Sequence, residues 1–248
     1  MSEHEHGHGH GHGHGHGHGH GVDQAEILDL DAELLAEHTA SIIGWLPVSN
    51  PRRVVDLGAG TGAGTFALLS RFPEARVTAV DASVDHLQRL RDRACELGLT
   101  DRVHTVQADL DTGRPDLGTP DLVWASGSLH HMTDPDRTLR QVHDTLAPGG
   151  VLAVVEMAGM PNFFPESRVD HDERLPHRGA DWGPMLTRAG FTVEADRTVT
   201  VHIERSAAVE RYARVVLRRL LDPEALDQAL RRDDLALRTE RTVWAARK

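Results

Sequence analysis

The glycines of the stretch 56–62 (Asp-Leu-Gly-Ala-Gly-Thr-Gly) alternate with other residues and are the first sign of chemistry in this chain. Glycine lets the backbone turn sharply and approach a ligand closely, where a Cβ atom would collide with it. Val54 and Val55 before the stretch are typical of a strand, and the apolar run 66–69 after it is typical of a helix. Because a helix directs its first unpaired N–H groups outwards, the stretch predicts a nucleotide-binding turn between strand and helix.

A second predicted strand, 76–81, ends in the carboxylate of Asp81, about twenty residues after the glycines, where an acid reaches a ribose diol. Two classes of cofactor carry a ribose that could bind here: the nicotinamide dinucleotides and S-adenosylmethionine. Gly58-x-Gly60-x-x-Ala63 also satisfies the loose pattern of a nicotinamide-binding turn. Asp56 favours S-adenosylmethionine. A carboxylate at the mouth of the loop repels the pyrophosphate of a dinucleotide but attracts the ammonium and the sulfonium of S-adenosylmethionine. The residues therefore favour S-adenosylmethionine.

Five segments resemble the motifs of the class I S-adenosylmethionine-dependent methyltransferases of small molecules, in the order and at the spacings of that family. They are 56–62, 80–83 (Val-Asp-Ala-Ser), 107–110 (Gln-Ala-Asp-Leu), 121–135 and 146–152. The resemblance covers residues 54 to 156 and implies S-adenosylmethionine as cofactor, with little information on the acceptor. It implies cofactor contacts from Asp56, Gly58, Ala59, Gly60, Thr61, Gly62, Asp81, Ala82, His86, Ala108, Asp109, Leu110, Ala125 and Ser126.

The candidate catalytic residues are His130 and His131, in the loop that follows the predicted fourth strand, 122–125. Ligands of open α/β sheets bind at the carboxyl ends of the strands, so we expect this loop near the transferred methyl group. A base is needed only if the acceptor is a hydroxyl or a protonated amine, and neutral histidine suits that task near pH 7. The alternative is that one of the two histidines packs and hydrogen-bonds the loop.

Composition limits the classes of partner and compartment. The chain has 248 residues and a formal charge of −11, with 27 basic against 38 acidic residues, which disfavours nucleic acid and favours a small-molecule acceptor. Cys95 is the single cysteine, so we expect no disulfide and a reducing compartment. No apolar run reaches the length of a membrane span, and no signal peptide is evident. We expect a cytoplasmic protein.

Residues 1–21 form a low-complexity tail that we predict to be disordered, followed by one methyltransferase domain over 22–248. Imidazoles on a flexible chain chelate nickel, zinc or copper. Such a tail is either an incidental, purification-like metal binder or a biological device for metal storage or sensing, and nothing links it to catalysis. The candidate ligands occupy every second position: His4, His6, His8, His10, His12, His14, His16, His18 and His20.

The predicted fold is α/β: a doubly wound, Rossmann-like sheet of seven strands whose last strand, 241–246, is antiparallel. An amphipathic helix or helix pair over 23–45 precedes it, and a helical insertion over 206–235 stands before the last strand. We expect 157–177, with Phe163 and Phe164, and the insertion to line the acceptor pocket. The remaining functional alternatives are a nicotinamide-dependent oxidoreductase and a non-catalytic metal-binding protein with a methyltransferase-like body.

Overall fold

The computed structural model describes residues 19–113, 115–166 and 177–248. Its centre is a seven-stranded sheet in the order β3-β2-β1-β4-β5-β7-β6. The strands are β1 (Arg53–Leu57), β2 (Arg76–Asp81), β3 (Val103–Gln107), β4 (Leu122–Ser126), β5 (Val151–Met157), β6 (Thr192–Ile203) and β7 (Leu237–Arg247). The helices are α1 (Gly19–Trp45), α2 (Ala63–Arg71), α3 (Val84–Glu96), α4 (Pro135–Thr145), α5 (Trp182–Arg188), α6 (Ala207–Leu217) and α7 (Pro223–Leu230).

Strand directions confirm the predicted sheet. β1 pairs in parallel with β2 and with β4, and the parallel pairing continues to β3 on one side and β5 on the other. β7 is antiparallel to both of its neighbours, β5 and β6. Because the chain order reverses between β1 and β4, the carboxyl ends of these two strands flank the crevice where open α/β sheets bind ligands.

Apolar clusters cover both faces of the sheet. Val55, Leu57 and Trp182 belong to the cluster under α4 and α5, whereas Val54 and Trp124 belong to the cluster under α1 and α2. The two clusters separate residues that alternate along β1, as expected of a strand buried on both faces. This alternation decides which way each polar residue of the strand points.

The N-terminal segment is one helix of 27 residues, α1, and not a helix pair. It begins at Gly19, so its backbone enters the segment predicted as disordered, and residues 1–18 lie outside the described residues. Leu28 packs over the glycine loop, since a Cβ on Gly60 would lie 3.1 Å from its Cδ1. Asp31 pairs with Arg241 of β7 at 2.7 Å, so α1 also joins the last strand. Among the described helices, none combines the length and apolarity that a bilayer crossing requires.

The predicted insertion folds as α6 and α7, capped by Ser206 and Asp222. Tyr212 packs edge-to-face on Phe163, with ring centroids 5.8 Å apart. Phe163 is 2% exposed and Phe164 is 8% exposed, because both fill the cluster that joins α6 and α7 to β7. The prediction that these two side chains line an open pocket is therefore wrong: they are core residues. Residues 167–176 of the predicted pocket wall lie outside the described residues.

Candidate active site

The glycine turn after β1 needs residues without a side chain. Gly58, Gly60 and Gly62 have φ angles of 69°, 54° and 101°, which L-residues rarely adopt. A Cβ on Gly58 would lie 2.4 Å from the Cβ of Ser128, and one on Gly62 would lie 2.6 Å from the ring of Phe66. The turn is thus a tight cradle, and its shape fits the close approach of a nucleoside cofactor.

Asp81 lies at the end of β2 and holds the cradle. Its Oδ2 accepts a hydrogen bond from Gly60 N at 2.8 Å, and its Oδ1 accepts one from Ser83 N at 2.8 Å. His86 Nδ1 lies 3.4 Å from Oδ1. Burial alone would raise the pKa of Asp81, but the hydrogen bonds from His86, Ser83 and Gly60 together lower it below its ordinary value. Three residues predicted from the sequence, Gly60, Asp81 and His86, thus meet around one ionised carboxylate.

The structure corrects the predicted position of Asp56. Its side chain is 2% exposed and lies beneath α2, where Oδ2 accepts a hydrogen bond from the hydroxyl of Thr65 at 2.7 Å. Burial raises the pKa of Asp56 to about 7. Asp56 pairs in register with Trp124, so both side chains point to the α2 face of the sheet rather than to the mouth of the loop. Its contact with a cofactor ammonium stays a prediction.

The predicted adenine segment follows β3. Ala108 N donates to Asp81 O at 3.0 Å, which places this segment beside the end of β2. Asp109 is exposed, and its Oδ1 accepts from Asp111 N at 2.9 Å, so the carboxylate also orders its own turn. Leu110 is buried. Its contacts with adenine, like those of the other two residues, stay predictions.

Two residues that the sequence analysis did not single out hold the loops around the crevice. Asp111 accepts from the N and Oγ1 of Thr133, at 2.9 and 3.0 Å, and so joins the loop after β3 to the loop after β4. Glu156, at the end of β5, accepts from Leu129 N at 2.9 Å. The sequence did contain a signal for Glu156, because this acid directly follows the apolar run 151–155.

The two candidate catalytic histidines have different environments. His130 is 1% exposed, and its Nδ1 lies 2.6 Å from Glu156 Oε2. His131 is exposed and stacks obliquely on His130, with ring centroids 4.1 Å apart. Partial burial of the His131 ring, and after it the neighbouring His130 imidazole, lower the pKa of His131. The imidazole of His131 is therefore neutral near pH 7.

The last predicted residues end β4. Ala125 is fully buried and packs in the cluster under α4, while Ser126 is half-buried at the carboxyl end of the strand. Across the described ranges, no group of three side chains is arranged to hold a metal ion. The side chains and backbone groups described above around the crevice are carboxylates, imidazoles and the N–H groups of the glycine turn.

Comparisons with known proteins agree with this geometry. Residues 55–152 match the family model described as a methyltransferase domain. The chain is 31% identical to trans-aconitate 2-methyltransferase of Methylobacterium nodulans, covering 80% of this chain and 82% of that protein. It is 39% identical to trans-aconitate 2-methyltransferase of Paracidovorax citrulli, covering 60% of this chain and 52% of that protein.

The structure of BH2331 from Bacillus halodurans has a TM-score of 0.61 at 19% identity, covers 86% of this chain and 99% of its own, and shows the shared fold. Several other curated relatives are matched over only 27% to 58% of their length. The match to the Methylobacterium protein nevertheless spans about four fifths of each chain. The chain belongs to the class I S-adenosylmethionine-dependent methyltransferase family.

Proposed function

We propose that this protein transfers a methyl group from S-adenosylmethionine to a small, partly apolar acceptor. The observation that carries the proposal is the Asp81 carboxylate, held beside the cradle by Gly60 N at 2.8 Å, where a ribose diol can donate to it. When bound, the cofactor supplies an electrophilic methyl group on its sulfonium. The proposed contacts are those predicted from the sequence: Asp56, Gly58, Ala59, Gly60, Thr61, Gly62, Asp81, Ala82, His86, Ala108, Asp109, Leu110, Ala125 and Ser126.

The acceptor is proposed as a small molecule with an oxygen nucleophile. The names of the relatives point to different acceptors, among them trans-aconitate and 27-O-demethylrifamycin SV. Another relative is named as an O-methyltransferase of malonyl-[acyl-carrier protein]. These names support oxygen as the acceptor atom and leave the rest of the acceptor to experiment.

We assign His131 as the base and His130 as a positioning residue. His131 is exposed at the carboxyl edge of the sheet, and its lowered pKa keeps the imidazole ready to accept a proton near pH 7. His130 is buried, and its Nδ1 is engaged by Glu156 at 2.6 Å. His130 and Glu156 thus hold the loop, while His131 removes the proton from the acceptor oxygen.

The test has two steps. Calorimetry with S-adenosylmethionine and with a nicotinamide dinucleotide should show binding of the first alone, and tight binding of the dinucleotide would refute the assignment. The protein is then incubated with methyl-labelled cofactor and a metabolite extract, and transfer of label to a small product is expected. Cofactor binding without transfer to any extract fraction would favour a non-catalytic body.

We also propose that the tail binds nickel, zinc or copper. Its alternating histidines lie on a Gly-rich segment, so two to four imidazoles can surround one ion. Leu28 of α1 packs on the glycine loop. Several residues of α1 separate Leu28 from the end of the tail. Metal binding is therefore proposed as independent of the methyl-transfer site.

A further inference from the structure

A pocket of about 330 Å³ opens at the carboxyl end of β5, on the face of the sheet that α5 covers. Its volume is in the range of small-molecule sites. Its walls come from the end of β5, the segment 179–181, β6 and β7. Glu156 forms part of this wall and also holds His130 Nδ1 at 2.6 Å, so the pocket adjoins the loop that carries both candidate catalytic histidines.

The pocket is within reach of a molecule that is methylated beside the cradle. Neighbouring strands of a sheet lie about 4.8 Å apart, so the order β1-β4-β5 separates the end of β5 from the end of β1 by roughly 10 Å. A small molecule can span this distance, with one end near His131 and the other end in the pocket. The pocket is thus a candidate site for the part of the acceptor that does not react.

Two carboxylates without a basic partner line this pocket, and they belong to Asp181 and Asp196, which are both exposed. Within the described ranges neither forms an ion pair, whereas Glu194, on the same strand as Asp196, pairs with Arg247. Asp181 Oδ1 accepts only from Gly183 N, at 3.0 Å, as the cap of α5. The described lining therefore offers two negative charges and no positive side chain.

The indole N–H of Trp244 is an unused donor in the same pocket. Trp244 is 7% exposed and lines the pocket, and its N–H donates no hydrogen bond to the described part of the chain. Its Nε1 lies 3.6 Å, and Asp181 Oδ1 lies 3.3 Å, from the position that a Cβ would take on Gly183. Asp196 is paired in register with Trp244 across β6 and β7. A buried indole N–H usually has an acceptor, which a ligand oxygen can supply here.

We propose that this pocket binds the protonated amine of the acceptor through Asp181 and Asp196, while Trp244 Nε1 donates to an oxygen of the same molecule. The inference rests on the proposed function and names the acceptor class as a small hydroxylated amine. An ammonium group can donate charge-assisted hydrogen bonds to both carboxylates. The same two charges repel an anionic acceptor.

Binding of the amine in this pocket also directs the methyl group to oxygen. Neighbouring carboxylates favour the charged form of an amine, and a protonated amine has no free electron pair to attack a methyl group. The nitrogen is also held roughly 10 Å from the cradle, as the spacing of the strands requires. The hydroxyl of the same molecule lies near His131, which can take its proton.

The test uses three probes that share one skeleton and differ in charge: phenylethanolamine, phenylethanediol and mandelate. Their binding to the protein saturated with S-adenosylhomocysteine is measured by calorimetry at low ionic strength, where exposed charges are least screened. We expect the amine to bind about tenfold more tightly than the diol, and mandelate to bind most weakly.

The double variant Asp181→Asn with Asp196→Asn should lose the preference for the amine, because asparagine is uncharged but still caps a helix. The matched control is Asp227→Asn, which removes an exposed acid of α7 and should bind all three probes as the wild type does. Trp244→Phe keeps a ring and loses the N–H, so it should weaken the amine and the diol alike, by about threefold or more.

Three results would overturn the proposal: mandelate binding as tightly as the amine, no binding of any probe, or an amine preference that survives in the double variant. A wild type that does not bind S-adenosylmethionine refutes the proposed function itself. Cofactor binding without an amine preference refutes only the role of the pocket.

Discussion

His130 Nδ1 lies 2.6 Å from Glu156 Oε2, and this contact joins the loop after β4 to the end of β5 inside the protein. Glu156 Oε1 also accepts from Leu129 N, so one carboxylate orders the loop that carries both histidines. The geometry of His131 at the surface therefore depends on a buried neighbour.

We predict that Glu156→Ala lowers the free energy of unfolding by about 1–3 kcal/mol or more, because buried donors of Leu129 and His130 lose their acceptor. Urea denaturation measures this loss. Glu156→Gln, which keeps one carbonyl oxygen, is the control and should lose less. Equal stability of all three proteins would contradict the assigned role of the carboxylate.

We predict that His131→Ala lowers kcat about 100-fold or more with an oxygen acceptor, while cofactor affinity stays unchanged. Because the pKa of His131 is lowered, the active neutral form persists at pH values below its ordinary 6.5. The wild-type rate should therefore rise with pH, with a midpoint below pH 6.5. A pH profile of kcat for both proteins measures this, and an unaltered kcat in the variant would exclude His131 as base.

The pH dependence of stability should report the buried acid Asp56. Its folded pKa of about 7 lies above the ordinary 3.8, so the folded chain binds this proton more tightly than the unfolded chain. Stability from this group is therefore present at about pH 4 and is lost as the pH rises through about 7. Asp56→Asn stays neutral and keeps an acceptor for Thr65, so its advantage over the wild type should grow across that window.

Thermal unfolding of Asp56→Asn and the wild type at pH 5 and pH 8 measures this advantage, which should grow by about 2–3 kcal/mol between the two pH values. A difference that does not vary with pH would argue against a raised pKa. Cofactor titration of the same variant also tests the ammonium contact predicted from the sequence, which would appear as weaker binding.

Asp81→Ala should weaken S-adenosylmethionine binding about tenfold to a few hundredfold, because charge-assisted hydrogen bonds contribute about 1.5–3 kcal/mol each. The structure adds a second reason, since Gly60 N loses its acceptor and the cradle loosens. Asp81→Asn keeps one oxygen acceptor and should bind more tightly than the alanine variant. Calorimetry measures the affinity of each variant for S-adenosylmethionine. Wild-type affinity in Asp81→Ala would contradict the assignment of Asp81 as the acceptor for the ribose.

Removal of residues 1–18 should abolish most nickel and zinc uptake and leave cofactor affinity and melting temperature unchanged. The reason is compositional, because Met1 is the single apolar side chain that this segment could share with the core. Metal titration by calorimetry and cofactor titration on the same truncated protein provide the two readouts. Weaker cofactor binding after truncation would tie the tail to the active site.

Short sequence patterns determined the local structure of the predicted cofactor-binding turn. The alternating glycines and the acid that ends β2 are signals within short stretches, and the structure has each of them where the sequence predicted it. The doubly wound sheet of seven strands and the antiparallel direction of β7 also followed from the family resemblance. Spacing along the chain is sufficient for the glycine turn and for the acid that ends β2, because these features depend on residues close in sequence.

Tertiary structure alone decided which groups meet across the sheet. Glu156 reaches His130 from 26 positions away, and Ser128 reaches Gly58 from another strand's loop, so neither contact has a local signal. Asp56 and Phe163 were expected at the ligand, but the helices that cover each face of the sheet buried them. A sequence shows that successive side chains of a strand point to opposite faces of the sheet. Only the packing of the other elements determines what covers each face.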